Sequence, residues 1–260
     1  MTAEEKTALA RFLDLTGDYL GDGYASEREA YSFTDDTQQA KPLPEDFASL
    51  PLAYQMDEDG GDGESMEDIA AAIGSCTACA LGATRTLPVP GEGAANPLVM
   101  VIGEGPGADE DAAGRPFVGK AGQLLDKMLA SIGLSRNTNC YIANMVKCRP
   151  PGNRDPEAGE IAACFPYLEQ QITLLQPALI LCAGRVAAQN LLKTGQPLNA
   201  LRGTFAALRV AAEPGLTPGL SIPVLCTYHP SAILRDDSLR RPAWEDLKLL
   251  KAKLESMNGE

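Results

Sequence analysis

Three short, continuous apolar runs, each separated from the next by helix-length sequence, constrain this chain more than any other feature. They are LVMVI at 98–102, LILC at 179–182 and VLCT at 224–227, and CYIANMV at 140–146 reads as a fourth strand. A strand that is apolar on both faces must be covered on both sides. The covering elements are supplied by helical stretches at 120–132, 155–176, 184–192 and 244–256. Alternation of this kind predicts an α/β fold, a three-layer αβα sandwich around a central, mainly parallel four-stranded sheet. Ligands of such sheets collect beyond the carboxyl ends of the strands. The segments expected there are GEGPG, NMVKCRPPGNR, AGR and YHPSAILR.

Charge divides the chain in two. Its 260 residues carry 35 acids and 22 bases, a formal net charge of −13, and that average argues against a nucleic-acid partner. Residues 1–70, however, hold 18 of the acids and 4 of the bases, so residues 71–260 are close to neutral, with 17 acids and 18 bases. Within the acidic quarter Leu9, Phe12, Leu13 and Leu20 fall at helical spacing, and 21–63 has no sustained period. The expectation is a short helix plus a disordered acidic arm over 1–64, followed by one ordered domain over 65–260 that opens with a helix near 66–73. No run of about 18 apolar residues offers a membrane span. The opening MTAEEKTALA is acidic where a secretory signal is basic and then apolar, so a cytoplasmic, monomeric protein is expected.

Seven cysteines in a reducing compartment favour metal or cluster ligation over disulfides wherever their spacing is patterned. Cys76, Cys79, Cys148 and Cys164 form C-x2-C, a long interval and C-x15-C, the makings of a tetrathiolate site. Zinc and a 4Fe-4S cluster both suit four thiolates, and spacing does not separate them. Cys140, Cys182 and Cys226 lie in apolar strands and read as inert core.

The remaining candidates sit near strand ends. GEGPGADED follows a strand, but its glycines run G-x-G-x-G and no acid ends the next strand, which argues against a dinucleotide loop. The turn either needs glycine for backbone reasons or brings Glu104 and backbone N–H groups to the site, while Asp109, Glu110 and Asp111 read as solvated loop charges. Phe117 lies on a loop before a helix and serves as a core cap or, with a planar substrate, a stacking platform. Asn144 is an amide among apolar strand residues and needs a partner. His229 is the sole histidine, directly after a strand, and chemistry that needs an imidazole has no other candidate.

Together GEGPGADEDAAGRPFVGKAGQLLDKML, YIANMVKCRPPGNRDPE with its C-x15-C, GRVAAQ and TYHPSAILR resemble the family 4 uracil-DNA glycosylases, in order, over about 66–254. The resemblance implies the glycosylase-type αβα fold and hydrolysis of the uracil–deoxyribose bond in DNA, single- or double-stranded, leaving an abasic site. It implies one structural 4Fe-4S cluster on Cys76, Cys79, Cys148 and Cys164. By the same analogy Phe117 stacks on the flipped uracil, Asn144 pairs with its edge, and His229 hydrogen-bonds O2 as charge builds on the leaving base. Gly105 and Gly107 belong to the turn that holds base and water. Ser231 and Arg235 grip a phosphate, and the segment 233–235 fills the vacated stack.

Two features depart from the pattern. Family 1 enzymes place an Asp after the equivalent of Glu104 to orient the attacking water, whereas this chain has Gly105, which leaves Glu104 as first candidate and Glu110 as second. The acidic arm matches none of these motifs and reads as a solubilising tail or a surface for a protein partner. The competing function is a uracil-DNA binder that is non-catalytic or traps its product covalently. Relatives of that kind carry an inserted basic, His-containing loop near Phe117, and RPFVGKAG runs through without one. A cluster-dependent electron carrier is the third reading, for which the surrounding α/β domain is unnecessarily large.

Overall fold

A computed structural model describes residues 65–210 and 220–258. The helix and acidic arm expected within 1–64 lie outside the described residues. The first described helix, α1 (Met66–Ser75), starts where Ser65 and Asp68 cap each other reciprocally, the Asp68 N–H donating to Ser65 Oγ at 3.2 Å and the Ser65 N–H to Asp68 Oδ2 at 3.0 Å. The chain then passes the cysteine pair and a 3-10 turn (Ala80–Ala83) and enters the sheet.

Four strands run parallel at the centre: β2 (Val99–Gly103), β3 (Cys140–Asn144), β4 (Leu179–Ala183) and β6 (Leu220–Thr227). The expected four-stranded sheet is widened to six by two antiparallel edges, β1 (Glu92–Gly93) on β3 and β5 (Phe205–Val210) on β6, in the order β1-β3-β2-β4-β6-β5. Neither edge announces itself in the sequence. Two residues have no period, and β5 belongs to an alanine-rich stretch.

Successive side chains of the central strands feed opposite faces, as the pleat requires. Val99, Val101, Leu179 and Leu181 pack with α3 (Lys120–Ala130), α7 (Pro230–Arg235) and α8 (Arg240–Asn258) through Leu125, Met128, Ile233, Trp244 and Leu247. Met100, Ile102, Ile180 and Cys182 pack on the other side with α4 (Ala158–Leu175) and α5 (Arg185–Leu191) through Ile161, Leu168, Ile172 and Val186. The three layers expected from the apolar runs are therefore present. Cys140, Cys182 and Cys226 are fully buried in strands, as expected of core thiols. A short helix, α6 (Leu198–Leu201), leads into β5. No helix among the described residues is long and apolar enough to cross a membrane.

One further correction falls on the acids after the glycine turn. They are not solvated loop charges but form α2 (Ala108–Ala113). Asp111, 5% exposed, accepts from the Thr86 N–H at 2.9 Å and from its hydroxyl at 2.7 Å. Glu110 accepts from the N–H groups of Gly107 (3.1 Å), Val118 and Gly119 (both 2.9 Å). Both carboxylates spend their lone pairs holding loop backbone, and only Asp109 of the three is exposed.

Candidate active site and cysteine cavity

Register alone brings the candidate residues together. Gly103 pairs with Asn144 at the end of β2 and β3, and Ala183 pairs with Thr227 at the end of β4 and β6, so Glu104, Asn144, Gly184 and His229 emerge along one edge of the sheet. A Cβ on Gly103 would lie 2.6 Å from Phe117 Cζ and closer still to Asn144 Oδ1. Glycine there is what lets the Phe117 ring and the Asn144 amide meet. The Phe117 and His229 rings stand 5.5 Å apart between centroids with 31° between their planes. Ring, amide and imidazole thus gather at the same strand-end edge, with the ring next to both the amide and the imidazole.

Phe117 holds this position against its own backbone preference, with φ +52°. The conformation is over-determined from two sides. Arg136, itself buried, donates from Nη1 to the Pro116 carbonyl and from Nη2 to the Phe117 carbonyl, both at 2.8 Å, and from Nε to Asp126 at 2.9 Å. Glu110 holds the next two N–H groups. Helix α3 approaches the loop so closely that a Cβ on Gly122 would lie 2.6 Å from Phe117 Cα. Sequence reasoning missed both supports. A glycine inside an amphipathic helix is a signal of close approach, whereas nothing in the sequence marks Arg136.

Asn144 is 1% exposed, and its Oδ1 has no hydrogen-bond partner among the described residues. A buried acceptor left unpaired is costly and marks a place where a ligand donor belongs. His229 caps α7. Its Nδ1 accepts from the Ser231 N–H at 3.2 Å and lies 2.8 Å from Ser231 Oγ, so the ring proton belongs on Nε2. Burial pushes its pKa down to about 4, the Arg235 charge adding to the effect and Glu110 opposing it. The imidazole is therefore a neutral N–H donor at physiological pH. Gly184, at φ +96°, makes room for it, since a Cβ there would lie 2.9 Å from His229 Cβ.

Glu104 is half-buried beside these groups. Burial pushes its pKa up to about 7, helped by Asp155 and opposed by Arg185 and Arg235. Asp155 and Arg185 form an ion pair with each other. Gly105 packs against Val146, where a Cβ would press to 2.8 Å on Cγ2, and a Cβ on Gly107 would come to 2.7 Å of Glu110 Oε2. Ser231 has its hydroxyl on His229, Arg235 is exposed, and Ile233 is fully buried in the core, so of 233–235 only Leu234 and Arg235 reach outward.

Behind the β3 end, Cys76, Cys79, Cys148 and Cys164 line one small cavity. Three donors point at its sulfurs: the Ala78 N–H at Cys76 (3.5 Å), the Lys147 N–H at Cys164 (3.2 Å) and Arg85 Nη1 at Cys148 (3.1 Å). Arg85 also ties the end of α1 through the carbonyls of Ile73 and Gly74. Burial raises the Cys164 pKa to about 11 and raises Cys148, and the Lys147 and Arg85 charges pull in the opposite direction. No three Cys, His, Asp or Glu side chains among the described residues converge at the spacing of a single metal ion.

Comparison with known proteins agrees with this geometry. Residues 90–248 match the family model of the uracil DNA glycosylase superfamily. The type-4 uracil-DNA glycosylase of Pyrobaculum aerophilum is 42% identical over 181 residues, 68% of this chain and 88% of that protein. Its counterpart in Archaeoglobus fulgidus is 41% identical over 185 residues, 71% of this chain and 91% of that one. The type-5 enzyme of Pyrobaculum aerophilum is more distant, 33% identical over 160 residues, 56% of this chain and 66% of that protein. With α/β architecture, motif order and relatives in agreement, the chain belongs to the uracil DNA glycosylase superfamily and, within it, to the type-4 family.

Proposed function

We propose that this chain is a DNA repair glycosylase that receives a uracil nucleotide flipped out of DNA, hydrolyses its N-glycosidic bond and leaves an abasic site. The observation that carries the reading is the unpaired, buried Asn144 Oδ1 next to the Phe117 ring, which in turn stands against the His229 imidazole. Uracil presents an N3–H donor next to its O4 acceptor, and an Asn amide satisfies both at once. Cytosine presents an acceptor and an amine at the same places, which leaves the amide mismatched on both atoms.

The other groups take their roles around that base. Phe117 stacks on its face. The Nε2–H of His229 donates to O2 as negative charge develops there, an interaction worth most in the transition state. The C1′–N1 bond breaks with its electron pair leaving on uracil, a water oxygen bonds to C1′, and Glu104 in its carboxylate form takes the water proton. Gly105 and Gly107 keep the turn close to the base, and Glu110 holds that turn to the Phe117 loop. Arg235, exposed at the end of α7, meets a DNA phosphate, and Ser231 orients His229 beside it.

The cysteine cavity suits a 4Fe-4S cluster held by Cys76, Cys79, Cys148 and Cys164. Four cysteines line one space and backbone and guanidinium donors face three of their sulfurs, a lining suited to four thiolates, and the family likeness favours iron and sulfur over zinc. When bound, the group fastens α1, the β3 end and α4 to one another. The remaining assignments follow the sequence: a monomeric cytoplasmic enzyme with its catalytic domain over 65–260, and an acidic arm over 1–64 that solubilises the protein or meets a protein partner. The test is strand scission at the abasic site after incubation with single-uracil oligonucleotides, single-stranded or paired with G or A. Uracil-dependent scission is expected, and its absence with iron-loaded protein would overturn the reading.

A further inference from the structure

Lys147 is fully buried, at 1% exposure, between a valine and a cysteine ligand candidate. Its ammonium donates to the Asn144 carbonyl at 3.0 Å and to Gln171 Oε1 at 2.7 Å, and it has no carboxylate partner among the described residues. A buried cation with no anion is costly. The nearest groups that become anionic on ligating a cluster are the sulfurs of the cysteine cavity, which Lys147 also lines and which its own backbone N–H contacts at Cys164. Gln171 in turn donates from Nε2 to the Pro90 carbonyl at 2.9 Å and to the Tyr141 hydroxyl at 3.4 Å, so α4, the β3 end and the segment before β1 share one buried network.

We propose that Lys147 is a positioning residue for base selection. Clamped between the Asn144 carbonyl and Gln171, with its charge offset by the cysteine site, it fixes the backbone from which the Asn144 amide reads the base. The inference rests on the functional reading above and goes beyond it by assigning selectivity to a residue that never meets the substrate. Among the described residues the Asn144 Oδ1 is unpaired, and the group of this residue that Lys147 grips is its backbone carbonyl. Released from that grip, the amide is free to rotate or shift, and cytosine then suffers less from the mismatch.

The test compares binding of cleavage-resistant, 2′-fluorinated uracil and cytosine oligonucleotides to native protein, Lys147→Met and Gln171→Leu, each in the Asn144 and the Asn144→Ala backgrounds. Met keeps the length of the side chain and the backbone N–H to Cys164. Gln171→Leu leaves Lys147 in place and removes its anchor together with the Nε2 bonds to Pro90 and Tyr141, so it carries the test if Lys147→Met fails to fold or loses iron. Gln171→Glu, which keeps the acceptor but not those donors, separates the two losses. The expected result is an approximately tenfold smaller uracil preference in the variants with Asn144 present, and a change of less than about twofold in the Asn144→Ala background. Gln171→Glu, which keeps an acceptor for the ammonium, should restore the preference. An undiminished preference in Gln171→Leu, or an equal loss in both backgrounds, overturns the inference. Uracil release by native protein is measured alongside on the unmodified oligonucleotide, and its absence together with the absence of a native uracil preference would instead condemn the functional reading itself.

Discussion

Replacing Gly122 by alanine sets two physical effects against each other. Helix propensity alone favours the change by about 1 kcal/mol, because Gly122 lies inside α3. The structure reverses the sign. A Cβ at this position would lie 2.6 Å from Phe117 Cα and closer to its carbonyl, against an ordinary contact of at least 3.4 Å, so the carbonyl must retreat by about 1.5 Å. The retreat displaces the carbonyl that accepts from Arg136 and strains a residue already at φ +52°. Overpacking of this kind costs roughly 1–3 kcal/mol, to which part of a charge-assisted hydrogen bond is added, so Gly122→Ala should lose about 2 kcal/mol net. A stacking ring misplaced by about 1 Å should lower single-turnover uracil release by ten- to a hundredfold. Denaturant melts and rapid-quench cleavage measure the two quantities. A more stable variant with the native rate would refute the argument that α3 fixes the Phe117 loop by close approach.

Glu104 should impose a pH limb on cleavage. Its pKa is pushed up to about 7, chiefly by burial, so the carboxylate proposed to take the water proton is lost as pH falls through 7, and release should fall with it. His229, pushed down to about 4, stays neutral across this range and adds no second limb, and Glu104→Gln should abolish the dependence. Asn144→Asp should admit cytosine, because a carboxylate accepts from its exocyclic amine, and cytosine release from oligonucleotides would be the readout. Cys164→Ser should bleach the visible absorbance of purified protein and lower its melting temperature. Stoichiometric zinc in anaerobically prepared native protein would contradict the iron–sulfur assignment.

Much of the site was legible because parallel α/β sheets deliver strand ends to one edge. Asn144 and His229 follow apolar runs, and their strand register brings both to that edge. The residues that hold the site were harder to read, since their reasons are tertiary. Nothing in the sequence singles out Lys147, which is buried only because α4 and the cysteine cavity close over it. Asp111 reads as a loop charge until α2 turns it toward Thr86. Arg136 belongs to no pattern, although its three hydrogen bonds to the Phe117 loop and Asp126 fix an aromatic residue in a left-handed conformation. The edge strands were missed for the opposite reason, β1 being too short to have a period and pairing only through β3.

The central claim is that a neutral His229, fixed by Ser231 as an Nε2–H donor, stabilises the departing uracil. Single-turnover release from a uracil oligonucleotide by native protein and His229→Ala, with affinity for the uncleavable analogue measured alongside, tests it most directly. A donor that acts in the transition state should cost on the order of 10² to 10³ in rate when removed, with little change in affinity. Near-native release by His229→Ala, or a loss confined to binding, would contradict the claim and return the sole histidine to a structural role at the start of α7.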